Sequence, residues 1–271
     1  MAGARMPDAF FAELERLLPP EEPVGREGGR PRVPHRAVVK VLWYVLVTGC
    51  RWEDVPLELG CSGRTAHRRL RRWNEARVWD DLHMHFLRLL RKAGILEAEL
   101  AIVDSVMVRA FGGGEATGPS PVYRRTLGTK RTLAVDGNGV PLVNHTAPAN
   151  ASDHGQILPA VADFPRVPGK RGRPRSHPDV LFADRGYDSE ATRDALRAQG
   201  IEPVIARRGE DHGSSLGRIR WVVERTISWF KGFRRIRVQY DRLIPIQHTW
   251  NEIAAAIICF RIALRRGISL G

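Results

Sequence analysis

Two short apolar runs in this 271-residue chain each carry an aspartate where a core strand would carry another aliphatic side chain. The first is Ala101-Ile102-Val103-Asp104-Ser105-Val106; the second is Val180-Leu181-Phe182-Ala183-Asp184-Arg185-Gly186-Tyr187, which turns at a glycine just after the acid. A third acid, Glu224, lies between Arg218 and Lys231, where apolar residues recur at the spacing of an amphipathic helix. Hard divalent cations such as Mg²⁺ take oxygen ligands and keep positions for phosphate oxygens and water. A pair of them about 3.5–4 Å apart can clamp the attacking and leaving oxygens of an in-line displacement. Any one of these acids alone is better explained as a cap or an ion-pair partner. As an ordered trio, two from strands and one from a helix, they point to metal-assisted phosphoryl transfer.

Helix geometry extends the pattern around Glu224. At about 100° per residue, Arg220 four positions before and Lys231 seven after lie on the same stripe. Such a face can offer a carboxylate to a metal while its cations hold phosphates, although an ordinary i,i+4 salt bridge has the same spacing. Trp221, Val222, Ile227 and Phe230 are expected to anchor the remaining sides, and Trp229 to stack on an unpaired base.

These acids need a scaffold, and the flanking sequence describes one. Residues 98–271 read as strands and helices in a mixed sheet flanked by helices, of α+β or α/β class. Asp136-Gly137-Asn138-Gly139 marks a hairpin between Lys130–Val135 and Val140–Thr146, with Asp136 as a turn former. Asp153 and Gln156 have the spacing of a helix-start box, with a place for Asp153 and His154 near the metals as the alternative. Helices are expected over Ser189–Gln199 and Ile246–Leu264, and a strand over Glu202–Ala206. The glycine-rich stretch from Phe111 to Pro121 reads as disordered or DNA-facing; Gly128-Thr129-Lys130 lacks the order of a phosphate-binding loop.

Residues 1–34 read as a short helix, Asp8 to Leu18, followed by a linker rich in proline, glycine and charge. Residues 35–95 form a helical block: His35–Thr48, a short piece over Trp52–Leu59, a turn at Gly60-Cys61-Ser62, then Ser62–Ala76 and Asp80–Lys92. Ser62 is a natural N-cap. In the third piece Ala66, Leu70 and Trp73 form one inward stripe, leaving Arg64, His67, Arg68, Arg71 and Arg72 mostly outside it. That is the pattern of a helix-turn-helix with a basic recognition helix, or of a three-helix bundle with a solvated arginine face. Gly169 to Arg175 adds Arg171, Arg173 and Arg175 in an extended basic segment of the kind that enters a narrow minor groove; a solvated loop explains it equally.

Forty-three Lys+Arg against 30 Asp+Glu give a formal net charge of +13, and the pI is near 10.7. That excess points to a polyanionic partner, nucleic acid first. Cys50, Cys61 and Cys259 are odd in number and far apart, which argues against a disulfide framework or a zinc ribbon and for a reducing compartment. The longest apolar stretches are too short to span a bilayer and no signal-peptide core follows the N-terminus. A cytoplasmic, nucleoid-associated location is therefore expected, with no membrane partner and no nucleotide cofactor.

In the order in which these motifs occur, the chain resembles the transposases of bacterial insertion sequences with an RNase H-like DDE core, most closely the insertion-sequence-five-like family. The resemblance rests on Thr48-Gly49-Cys50-Arg51-Trp52-Glu53-Asp54-Val55-Pro56, Arg72-Trp73-Asn74, Val103-Asp104-Ser105, Ala183-Asp184-Arg185-Gly186-Tyr187-Asp188-Ser189 and Arg220-Trp221-Val222-Val223-Glu224 with Lys231. Gly217 stands where the family pattern has a tyrosine. The resemblance implies that Asp104, Asp184 and Glu224 bind two Mg²⁺ ions, replaceable by Mn²⁺. It further implies cleavage of double-stranded DNA at terminal inverted repeats, attack of the freed 3′-hydroxyl on target DNA, and a homodimer or larger assembly on DNA. A DNA-binding descendant without chemistry, and an RNase H-like nuclease without strand transfer, are the competing readings.

Overall fold

The computed structural model describes residues 5–21, 32–168, 174–207, 209 and 217–270. Most of the proposed linker, together with Arg171 and Arg173, lies outside the described residues. The chain opens with helix α1 (Asp8–Glu15), which ends earlier than the apolar pattern suggests. Helix α2 (His35–Thr48) follows; the His35 amide donates to the Glu21 carboxylate over 2.7 Å, so an acid from the preceding segment caps its start.

Two 3-10 turns, Trp52–Asp54 and Leu57–Leu59, replace the single helical piece expected there. Each is closed by its own local geometry, and Gly60 at φ 80° ends the second in a conformation that favours glycine. Helix α3 (Gly63–Glu75) begins at Ser62, whose hydroxyl accepts from the Thr65 amide. Gly63 is required by packing: a Cβ there would lie 1.9 Å from the Trp52 carbonyl oxygen. Helix α4 (Val78–Lys92) completes the block.

Strand β1 (Leu100–Arg109) leads to the short β2 (Gly118–Pro119), then β3 (Leu127–Val135) and β4 (Pro141–Pro148). The stretch from Phe111 to Pro121 is therefore ordered. It contains a strand, and the Glu115 amide donates to the Arg242 carbonyl over 2.8 Å. After helix α5 (Ile157–Ala162) come β5 (Val180–Ala183), α6 (Glu190–Ala198), β6 (Glu202–Ile205), α7 (Gly217–Lys231), α8 (Arg234–Arg237) and α9 (Ile244–Arg265).

The sheet is mixed and flanked by helices, as the sequence suggests. Its order is β2-β3-β1-β5-β6, with β4 also paired to β3. β1, β3 and β4 are antiparallel neighbours, while β5 and β6 run parallel to β1. The hairpin turn is built by Asp136, whose buried carboxylate accepts from the amides of Asn138, Val140 and Glu97 at 3.0, 2.7 and 3.0 Å.

Helix α9 is buried on nearly every side, with Ala254, Ala256, Ile257, Cys259 and Ala263 at 0% exposure. It packs on α4 and β4, so the helical block and the sheet share one hydrophobic core. Arg235 fastens the same junction: its guanidinium forks onto Asp241 at 2.9 Å twice, reaches the Cys50 carbonyl at 3.2 Å, and lies against Trp52 and Trp250.

Candidate active site

Register places the two aspartates. In the parallel pair of β1 and β5 the last matched residues are Val103 and Ala183, so the next residues are Asp104 of β1 and Asp184, which follows β5 with its backbone still extended. Residues in matched positions on neighbouring strands project to the same face. Asp104 is held by the Ser105 amide, which donates to Oδ1 over 2.8 Å, and Asp184 by the Gly186 amide over the same distance. The turn after Asp184 is pinned from below: Tyr187 is 1% exposed, and Arg193 of α6 bonds Asp188 and the Ile205 carbonyl at the end of β6.

Helix α7 crosses β1 and brings the third acid and a cation. A single nitrogen, Arg220 Nη2, lies 3.2 Å from Glu224 Oε1, 3.8 Å from Asp184 Oδ2 and 4.0 Å from Asp104 Oδ2. Only the Glu224 contact is a hydrogen bond. The i,i+4 salt bridge on this helix and the gathering of three carboxylates are thus one arrangement, since the same guanidinium serves both. Burial pushes the Asp104 carboxyl up to about 6; the Ser105 amide and Arg220 pull against that rise, and the Asp184 and Glu224 charges add to it.

The donor set suits a hard divalent cation: three carboxylates, all oxygen, with an arginine already answering their charge. As they stand, they surround the guanidinium. Among the described residues no three acidic, histidine or cysteine side chains are already grouped to hold one ion, so these carboxylates would have to draw closer together to share one.

The remaining candidates are dispersed. Arg64, Arg68, Arg71 and Arg72 project from α3, all exposed. With Arg32 and Arg69, Arg68 and Arg72 line a cleft of about 710 Å³ beside the start of that helix. His67 turns instead toward the protein, its ring 5.0 Å from that of Trp52, and burial lowers its pKa. Arg175 is engaged by Asp179 and Glu99. Lys231 is exposed at the end of α7. Trp229 has Arg225 over its ring at 4.8 Å and Arg265 at 5.8 Å. Trp221 is 51% exposed and is no anchor; Val223, at 0%, takes that place beside Val222, Ile227 and Phe230.

Asp153 is a further correction. Its carboxylate makes no helix-start bond; it accepts from Lys130 Nζ at 2.7 Å and from Ser105 Oγ at 2.9 Å. Sequence reasoning could not find Lys130 as its partner, because a lysine inside a strand pattern ordinarily faces solvent.

Three carboxylates brought together by neighbouring strands and a crossing helix of a mixed sheet agree with the class that comparison with known proteins shows, the DDE transposases. The chain belongs to the family described as Transposase DDE domain, whose model matches residues 96–259. A second model, described as "Putative transposase of IS4/5 family", matches residues 6–83. Two proteins of Burkholderia cepacia resemble it. The "Putative transposase for insertion sequence element IS402" is 44% identical over 158 residues, 58% of this chain and 75% of that protein. The "Insertion element IS402 uncharacterized 16.2 kDa protein" is 42% identical over 127 residues, 46% of this chain and 86% of that one. A solved "Mos1 transposase paired-end complex with left transposon end" superposes with a TM-score of 0.27 at 13% identity, covering 86% of this chain and 82% of that one, too loosely to carry structural detail. DDE transposases are enzymes of metal-dependent DNA cleavage and transfer. Among the described residues no helix is long and apolar enough to cross a membrane.

Proposed function

We propose that this chain is the transposase of an insertion element, cutting phosphodiester bonds at the element's terminal inverted repeats and joining the freed 3′-hydroxyl to target DNA. The observation that carries the reading is the arrangement of Asp104, Asp184 and Glu224 around one nitrogen of Arg220. In this reading the three carboxylates hold two Mg²⁺ ions, with Mn²⁺ able to replace them. The bound ions would supply charge neutralisation at the phosphate and lower the pKa of the attacking water.

The chain's own groups do the rest. Arg220, released from the carboxylates, is within reach of a phosphate at the same place, and Lys231 lies on the same helix. The exposed arginines of α3 hold the duplex, since phosphate contacts fix register and orientation while base contacts specify sequence. Cleavage and joining are both direct displacements at phosphorus, so no covalent bond to the protein is needed. Two element ends must be held together for joining, which calls for at least a dimer on DNA. The basic charge and the absence of a membrane-crossing helix among the described residues accord with a cytoplasmic, nucleoid-associated protein.

The test is a labelled duplex carrying the flanking inverted repeat, incubated with Mg²⁺, Mn²⁺ or EDTA, for wild type and Asp184→Asn. Metal-dependent nicking at the repeat end with joined products, lost in the variant, is the expected result. Tight binding without cutting by wild type in either metal would replace the reading with a DNA-binding descendant. Nicking without joining would leave a nuclease.

A further inference from the structure

The face of β1 opposite the acid cluster carries a second polar assembly. Ser105 and Thr132 are matched across β1 and β3, as are Met107 and Lys130, so Ser105 and Lys130 project to one face while Asp104 projects to the other. Lys130 is 2% exposed. Its ammonium donates to the Ala151 carbonyl and, over 2.7 Å, to Asp153 Oδ1, which also accepts from Ser105 Oγ. A buried lysine in a central strand is costly unless it is paired and hydrogen-bonded.

Two connections link this pair to the acids. Ser105, gripped through its hydroxyl by Asp153, uses its backbone amide to hold Asp104 Oδ1. On the other side, a Cβ at Gly186 would lie 3.0 Å from Asp184 Oδ1 and 3.5 Å from Asp153 Oδ2, so the two carboxylates flank that glycine. Tyr187, beneath the turn, lies beside Ser105. Asp153 therefore bonds the support of Asp104 and lies beside the glycine that supports Asp184.

We infer that Asp153, with Lys130 as its buried counterion, is a positioning residue for metal binding by Asp104 and Asp184. It sets Ser105 and the turn at Gly186, and those two set the carboxylates. The inference rests on the metal-binding reading of the acid cluster. Partners that orient metal ligands commonly contribute about 10–100-fold to metal affinity.

Direct Mn²⁺ binding to the full chain without DNA, followed by electron paramagnetic resonance or calorimetry, gives a readout independent of catalysis. Asp153→Asn is expected to weaken Mn²⁺ binding about tenfold or more, with DNA affinity in EDTA unchanged. Because Asp153→Asn leaves Lys130 buried without its counterion, the double variant Lys130→Met, Asp153→Asn is measured alongside. It is expected to recover thermal stability and not Mn²⁺ affinity. Ser105→Ala should weaken Mn²⁺ binding in the same direction. A folded double variant that binds Mn²⁺ as wild type does would overturn the inference. Asp184→Asn separates the two levels: if it loses Mn²⁺ binding while the Asp153 variants keep it, only the positioning role fails. If wild type and Asp184→Asn bind alike, the metal reading fails and takes this inference with it.

Discussion

Replacing Asp104 by asparagine should make the metal-free protein more stable at alkaline pH, while removing a group that the proposed chemistry needs. The Asp104 side chain is 17% exposed, and burial raises its carboxyl from 3.8 to about 6. A folded-state pKa above the unfolded value means that the folded protein binds the proton more tightly. Stability from this group is then greatest at low pH and falls as pH rises from about 4 through about 6. At about 1.4 kcal/mol per pH unit, the ionised carboxylate costs the folded state about 3 kcal/mol at pH 8. Asparagine keeps the shape and can still accept from the Ser105 amide, but carries no charge. The attraction of Arg220 is already contained in the raised value, so the net gain is about 3 kcal/mol.

The assay is thermal or urea unfolding of wild type and Asp104→Asn in EDTA, at pH 4 and at pH 8. For a chain of this length, each kcal/mol moves Tm by about 2–4 °C. The variant should melt several degrees higher at pH 8 and at about the wild-type temperature at pH 4. Added Mn²⁺ should stabilise wild type and leave the variant unmoved. Asp136 carries a second carboxyl that burial raises to about 6, but it is common to both proteins and cancels in the comparison. A variant less stable than wild type at pH 8 in EDTA would refute the account, because it would mean that Arg220 and the Ser105 amide more than repay the desolvation of Asp104.

Other perturbations test the scaffold and the proposed DNA-facing surface. Asp136→Ala strips the acceptor from three amides at the hairpin and should cost about 3 kcal/mol in urea unfolding, since each unsatisfied buried donor costs about 1–3 kcal/mol and relief of the buried charge offsets part of the loss. Gly63→Ala drives a Cβ into the Trp52 carbonyl; a loss of about 3 kcal/mol or more is expected, with weaker DNA binding because the start of α3 must shift. Arg68→Ala and Arg71→Ala should each weaken binding to any duplex and lower the slope of log K against log salt by about one, measured by fluorescence anisotropy. An unchanged slope in both would remove α3 from the DNA-facing surface.

Much of this molecule is written locally. The caps and turns are examples: Ser62 before α3, Asp136 with two glycines in the hairpin, and the apolar stripe of Ala66, Leu70 and Trp73 all depend on neighbours within a few residues, where spacing alone fixes geometry. The ordered acids, the charge and the family pattern are likewise properties of the chain as written. What the chain could not display is which strands lie side by side. β1 and β5 are neighbours although β3 and β4 intervene in sequence, and only that adjacency sets Asp104 beside Asp184. Arg220 gathers three acids, where its spacing promised one partner. Asp153 leaves the helix start its spacing suggested and pairs with Lys130, and Phe111 to Pro121 is ordered by contacts with the distant Arg242 segment. Spacing of three or four residues determines a local hydrogen bond, but a long-range partner is chosen by sheet order and burial, which exist only once the chain has closed on itself.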